Sequence, residues 1–241
     1  LSLSAEAWLM LLATGLYVYD ALLLLSHDEL VLIQGAKPPW RAAFGAHGWK
    51  LGGKEPWLPN LCAPWQLLAR VQWKLEDGLA GAAAADVRLP RMGCVPRVGV
   101  TLLGLLMFAA LPVCLFAVRH TAWTLVTIAM MYACIVVVLL GIRRDWLALG
   151  LVPGRFWPMA IECIACPPFC VNAVRRASLL MPARISMSAI ASQEEQHGRL
   201  GAFKRQLQVR VREQMDALPE GSARLSALKA AAESLREECD S

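Results

Sequence analysis

Two apolar runs, Val98 to Val118 and Ala122 to Ile142, lie almost end to end in this chain, with only Arg119, His120 and Thr121 between them. Each is about 21 residues long, close to the ~20 that a helix rising about 1.5 Å per residue needs to cross a hydrocarbon layer of about 30 Å. So short a separation leaves room only for a tight reversal, so the two runs are expected to form an antiparallel transmembrane hairpin. Pro112 lacks an N–H and is expected to bend its first arm.

A third run, Ala7 to Leu25, resembles a secretory signal only in its position. It has no basic n-region and no small-residue cleavage site: Glu6 precedes it and Ser26-His27-Asp28-Glu29 follows. The expectation is a retained anchor, giving three transmembrane helices in a mainly α membrane protein. Asp20 sits in this run, where an ionisable group is costly and draws a functional reading such as a proton relay. Its closeness to Leu25, with Tyr17 and Tyr19 beside it, equally suits a residue reaching the interface.

Composition agrees with the membrane class. Hydrophobic residues make up 57% of the 241 and charged residues 18%, against about 25% charged in an ordinary soluble domain. The net charge of +5 is read as basic flanks of membrane helices, with no nucleic-acid partner expected. Arg88, Arg91 and Arg97 precede the hairpin and Arg143 and Arg144 follow it. Because Lys- and Arg-rich loops stay cytoplasmic, both outer ends of the hairpin are placed inside. Lys37, Arg41, Lys50 and Lys54 place the segment after the anchor inside as well. The N-terminus is then outside and the C-terminus inside, in a bacterial-type inner membrane crossed several times.

The expected organisation is an anchor over 1–25, a small cytoplasmic β-rich module over 26–86, the hairpin over 98–142, a Pro-broken segment over 146–174 and a cytoplasmic amphipathic helical tail over 192–239. The module is read from the apolar run Leu30 to Gln34 and from turn residues at Pro38-Pro39, Gly45, Gly48, Gly52-Gly53 and Pro59-Asn60. Trp40, Trp49, Trp57, Trp65 and Trp73 recur through it every eight or nine residues, the length of a strand plus its turn. They form either an aromatic belt on lipid headgroups or the packing of a small core. Gly78 to Asp86 reads as a linker.

In the broken segment, Pro153, Pro158, Pro167 and Pro168 interrupt the helix, and a crossing would put Arg175, Arg176 and Arg184 on the wrong side. An interfacial or re-entrant path is expected, with Arg155 and Glu162 facing each other. In the tail, Ser192-Gln193-Glu194-Glu195 reads as a capping box that starts a helix. Leu200, Phe203, Leu207, Val211 and Met215 then recur at steps of three and four along one face. That stripe serves either as a partner-binding surface or as the packing face of helices folded on each other or on the module. Pro219-Glu220-Gly221 ends this helix and Ser222 can cap a second.

Cys163, Cys166 and Cys170 are the one cluster that invites metal or redox chemistry, since thiolates so spaced can converge on zinc or iron. The run lacks the fourth cysteine and trailing proline of a ferredoxin-like motif, and apolar packing is the competing reading. No cofactor is therefore expected. The other cysteines show no regular spacing, which fits a reducing compartment. No nucleophile-elbow, phosphate-loop, zincin or dinucleotide pattern occurs. The sequence thus points to a non-catalytic accessory or scaffold subunit of a larger membrane complex, with other membrane-protein subunits, itself or lipid as partners. Its rivals are a membrane-bound enzyme using the cysteine trio, or Asp20 with His27, and a homo-oligomeric channel-like assembly.

Overall fold

The structure is a computed structural model and describes residues 4–34, 40–46, 49–72, 89–149, 151, 153–181, 183, 185, 187–217 and 229. Trp73, the linker over 78–86, Arg184 and the second tail helix after Ser222 lie outside the described residues.

The first helix, α1 (Ala5–Ala21), opens where the Ser4 hydroxyl accepts the Ala7 N–H at 3.3 Å. Its 17 residues rise about 25 Å. The chain then turns directly into strands: β1 (Leu23–Leu25), β2 (Glu29–Gln34), β3 (Arg41–Ala43), β4 (Glu55–Trp57) and β5 (Leu67–Gln72). They form two small antiparallel sheets, β1 with β4 and β3-β2-β5 in that order. Leu23 lies opposite Trp57, so β4 is held within two residues of the end of α1. Gly52 and Gly53 both take positive φ, +59° and +79°, under the Leu51–Lys54 bridge, the two-residue turn that such backbone angles favour.

The two long helices of the expected hairpin are present and pack against each other. Helix α2 begins at Cys94 and remains helical to Val118, and α3 runs from Thr121 to Ala148; both are long and apolar enough to cross a membrane. Pro112 widens the rod: π-helical turns at Leu106–Ala110 and Val113–Val118 lie on either side of it. A proline cannot donate to the carbonyl four residues back and its ring crowds that oxygen, which the wider turns relieve. Arg119 closes the rod in the left-handed region, φ +50°, donating its N–H to the Cys114 carbonyl at 2.9 Å. The arms approach closely at two glycines. A Cβ on Gly99 would stand 2.6 Å from Val138 Cγ2, and one on Gly141 3.0 Å from Pro96 Cδ.

The Pro-broken segment becomes three short helices, α4 (Phe156–Ala165), α5 (Pro167–Val171) and α6 (Ala173–Leu180). Ten residues of α4 rise only about 15 Å, half a hydrocarbon layer. Glu162 pairs with Arg176, which corrects the expected contact with Arg155.

The tail folds back as α7 (Met187–Gln196) and α8 (Leu200–Ala217). Ser192 lies inside α7, its hydroxyl bonded to the Ala189 carbonyl at 3.1 Å, so the capping-box start is corrected. The preceding Met187 to Ala191 carry the helix past that signal. The break falls instead at Gly198, φ +67°. Both helices lie on the β module: Gln193 donates to the Trp40 carbonyl, Glu194 accepts the Ala42 N–H at 3.1 Å, and the rings of Phe44 and Phe203 are 5.8 Å apart. One apolar core therefore runs through module, helical hairpin and tail, joining Leu30, Trp40, Leu103, Ile142, Met159 and Leu207.

Candidate functional site

Two features meet at the last turn of α1, a buried polar junction and an apolar groove. The junction is built on α6. Asn172, the residue before α6, is 1% exposed and donates to the Tyr17 carbonyl at 3.0 Å, and the Tyr17 hydroxyl donates to the Leu61 carbonyl at 2.5 Å. Arg175, 2% exposed, donates to Asn172 Oδ1 at 2.8 Å, to the Asn60 carbonyl at 2.5 Å and to the Ala63 carbonyl at 2.9 Å. Burial pushes its guanidinium below the ordinary value, while Tyr17 and Asp20 beside it pull the other way. Arg176 lies 3.4 Å from Asp20 Oδ1 and also holds Glu162. Ser178 completes the junction by accepting the Leu68 N–H of β5 at 2.8 Å.

These groups satisfy backbone oxygens that an apolar interior would otherwise strand. Tyr17, Asn60, Ala63 and Leu68, whose backbone groups are bonded by Asn172, Arg175 and Ser178, all belong to segments more than a hundred residues away. The junction therefore fixes the position of α1 and of the loop around Asn60 to Ala63. Asp20, expected either as a relay or as an interfacial residue, is an ion-pair partner here, with Oδ2 buried and unbonded.

The groove lies between α1 and α2. Its deeper part, about 440 Å³, is walled by Tyr17, Trp65 and Phe108 and floored by Gly104 and Val171. A second part of about 680 Å³ continues along α2 past Thr101 and Val98 to Arg97 and Cys94. Trp65 lines both parts, and Arg97 Nε donates to its carbonyl at 3.3 Å. The hydroxyls of Thr14 and Thr101 are spent on their own helices, on the Met10 and Arg97 carbonyls at 2.8 and 2.9 Å, which leaves an apolar surface.

The cysteine trio sits where α4 meets α5. Cys163 and Cys170 are fully buried, while Cys166 is half-buried. A hydrogen bond of the Cys170 thiol to Cys163, with burial, pushes Cys170 far up, and burial pushes Cys166 up, so these groups hold their protons. Among the described residues no three His, Cys, Asp or Glu converge as a metal site. The tryptophans separate: Trp40 is buried, Trp57 and Trp65 are half-buried, and Trp49 is 77% exposed. The tail stripe is covered by the chain itself, with Phe203, Leu207 and Val211 in the common core, Met215 packed against it and Leu200 half-buried.

Sequence reasoning passed over Arg175 and the groove. Arg175 followed an apolar stretch and read as a topogenic charge, and only its long-range partners reveal otherwise. Comparison with family models, curated proteins and solved structures gave no match. The fold defines the class no further than a mostly helical protein with two span-length apolar helices and a small β module.

Proposed function

We propose that the chain is a multi-pass integral membrane protein acting as a non-catalytic accessory or scaffold subunit of a larger membrane assembly. In this reading α1 is a third span with its N-terminus outside, and the β module and tail lie in the cytoplasm of a bacterial-type cell. At about 25 Å, α1 is slightly short for a hydrocarbon layer of about 30 Å, a mismatch that local thinning of the bilayer accommodates. Much of it faces outward: Trp8, Leu9, Leu11 and Leu12 are all more than half exposed. Helix α4 suits the headgroup boundary. Trp157, Ile161 and Ile164 lie exposed on one face while Phe156, Met159, Ala160 and Cys163 are buried on the other, and the Arg143 guanidinium sits 5.2 Å above the Trp157 ring.

The observation that carries the scaffold reading is the junction. Span, module and tail share one core, and a buried polar network ties the span to the module, an arrangement suited to holding a partner at a set height and angle above the bilayer. A surface for that partner stands at the tip of the Leu51–Lys54 turn, where Trp49 and Leu51 are 77% and 60% exposed, beside Lys50 and Lys54. Exposed tryptophans ringed by polar residues are common anchors of interfaces.

The test is purification from native membranes in mild detergent, followed by mass spectrometry of what co-migrates. Defined partner subunits that are lost on Trp49→Asp support the reading. A chain that washes off membranes with carbonate, or one that purifies alone, overturns it.

A further inference from the structure

We propose that the turn from Trp49 to Lys54 plugs into an acid-rimmed apolar cleft on the surface of a cytoplasmic protein. The inference rests on the scaffold reading above and names the chemistry of the partner that this turn would hold.

The turn is built to be rigid. Leu51 donates its N–H to the Lys54 carbonyl at 2.7 Å, and Lys54 returns the bond to the Leu51 carbonyl at 3.1 Å, around the two positive-φ glycines. Below it, Arg210 grips both limbs, donating to the Gly45 carbonyl at 2.6 Å on one and pairing with Glu55 on the other. The limbs are also joined directly, the Ala46 N–H meeting the Pro56 carbonyl at 3.1 Å. A backbone held this firmly loses little freedom on binding, which lowers the cost of association. On that fixed base Trp49 and Leu51 are left 77% and 60% exposed, and an indole buried in a fitted cleft is among the commonest anchors of a protein contact.

Charge selects the rim. Lys50 and Lys54 flank the apolar pair in the chain; both are exposed, and neither meets an acid among the described residues. Glu55, the nearest acid in sequence, is buried against Arg210. The tip is therefore apolar at its centre with uncompensated positive charge on both sides. Complementarity asks for carboxylates around the cleft that takes the indole.

Strand register selects protein over lipid. Strand β1 starts beside the end of α1, and its pairing with β4 sets Trp57 opposite Leu23 at that end and Glu55 opposite Leu25 at the other. The turn continues beyond Glu55, so four residues of extended chain separate Gly53 from Trp57, about 13 Å at ~3.3 Å each. That is enough to clear a headgroup layer of about 5–8 Å.

The test carries Leu51→p-benzoylphenylalanine in the full chain, irradiated in native membranes, with the crosslinked peptide mapped by tandem mass spectrometry. The expected product joins position 51 to one segment of a different protein, and that segment carries net negative charge. Lys50→Glu with Lys54→Glu should cut the yield by about tenfold, because two attractive contacts become repulsive, while Lys50→Arg with Lys54→Arg should keep it. Near-ultraviolet circular dichroism and size-exclusion profiles matching the parent establish that the variants are folded. Overturning results are a crosslink to phospholipid or nucleic acid, to a neutral or basic protein segment, or only to this chain itself, and an equal yield from the folded charge-reversed chain. Partner subunits that co-purify but are never reached from position 51 sink this docking turn and leave the scaffold role standing. A chain that purifies alone overturns both.

Discussion

Arg175 Nη2 donates to the Asn60 carbonyl at 2.5 Å across 115 residues of chain. The same guanidinium holds Ala63 and Asn172, so Arg175→Met strands three acceptors in the interior. A loss of about 3 kcal/mol is expected, at about 1 kcal/mol per bond, with Arg175→Lys intermediate because an ammonium cannot reproduce the planar fork. Thermal unfolding in detergent measures it, and an unchanged midpoint for Arg175→Met would show the clamp to be idle.

Arg210 and Glu55 form an ion pair in which both side chains are 5% exposed, and Arg210 also donates to the Gly45 carbonyl at 2.6 Å. Gly45 must be glycine here, since a Cβ would lie 2.6 Å from Glu55 Cβ. Glu55→Gln should cost about 3 kcal/mol by leaving a buried cation with, among the described residues, Glu213 alone for charge, 3.0 Å away. The double variant Glu55→Leu, Arg210→Met should recover much of that. A double-mutant cycle showing additive losses would refute the coupling.

The two long helices test the glycine contact directly. Gly99→Ala should destabilise by about 1–3 kcal/mol through overpacking against Val138, and adding Val138→Ala should restore most of it. Gly104→Ala serves as the control, expected to be neutral or slightly stabilising because alanine favours the helix by about 1 kcal/mol. Equal effects at 99 and 104 would show that the close approach is not real.

Thiol labelling separates the cysteines. Cys62 and Cys94 are exposed and should react readily with a maleimide, while Cys163 and Cys170 are fully buried and should react only after unfolding. Burial raises the Cys166 thiol, so at neutral pH it carries less thiolate than a free thiol. Its labelling rate should keep rising at pH values where a small free thiol has levelled off. Fast labelling of Cys170 in the folded chain would contradict the packing of α4 on α5.

The long helices and the strand at Leu30 to Gln34 were legible because length and apolar runs are local properties. So was the stripe from Leu200 to Met215 as a helical face, since a spacing of three and four residues needs no partner to be seen. What covers that stripe was not legible: Phe203 meets Phe44 across 159 positions, and no periodicity encodes such a distance. Ser192 misled because a local cap signal competes with a helix already under way from Met187, whereas Gly198 was the informative residue. Arg175 and Arg176 read alike in the sequence, yet one is 2% exposed and the other partly open. Only the loop at Asn60 to Ala63, folded against them, tells them apart.

The grip on α1 has a mechanical consequence. Tyr17 and Asp20, on adjoining turns, are tethered to Leu61, Asn172 and Arg176, and β1 starts two residues after the helix ends. A lever held so near its end has no slack. In the membrane-spanning reading proposed above, a tilt of this rod would pass straight into the strands and swing the exposed Trp49 turn.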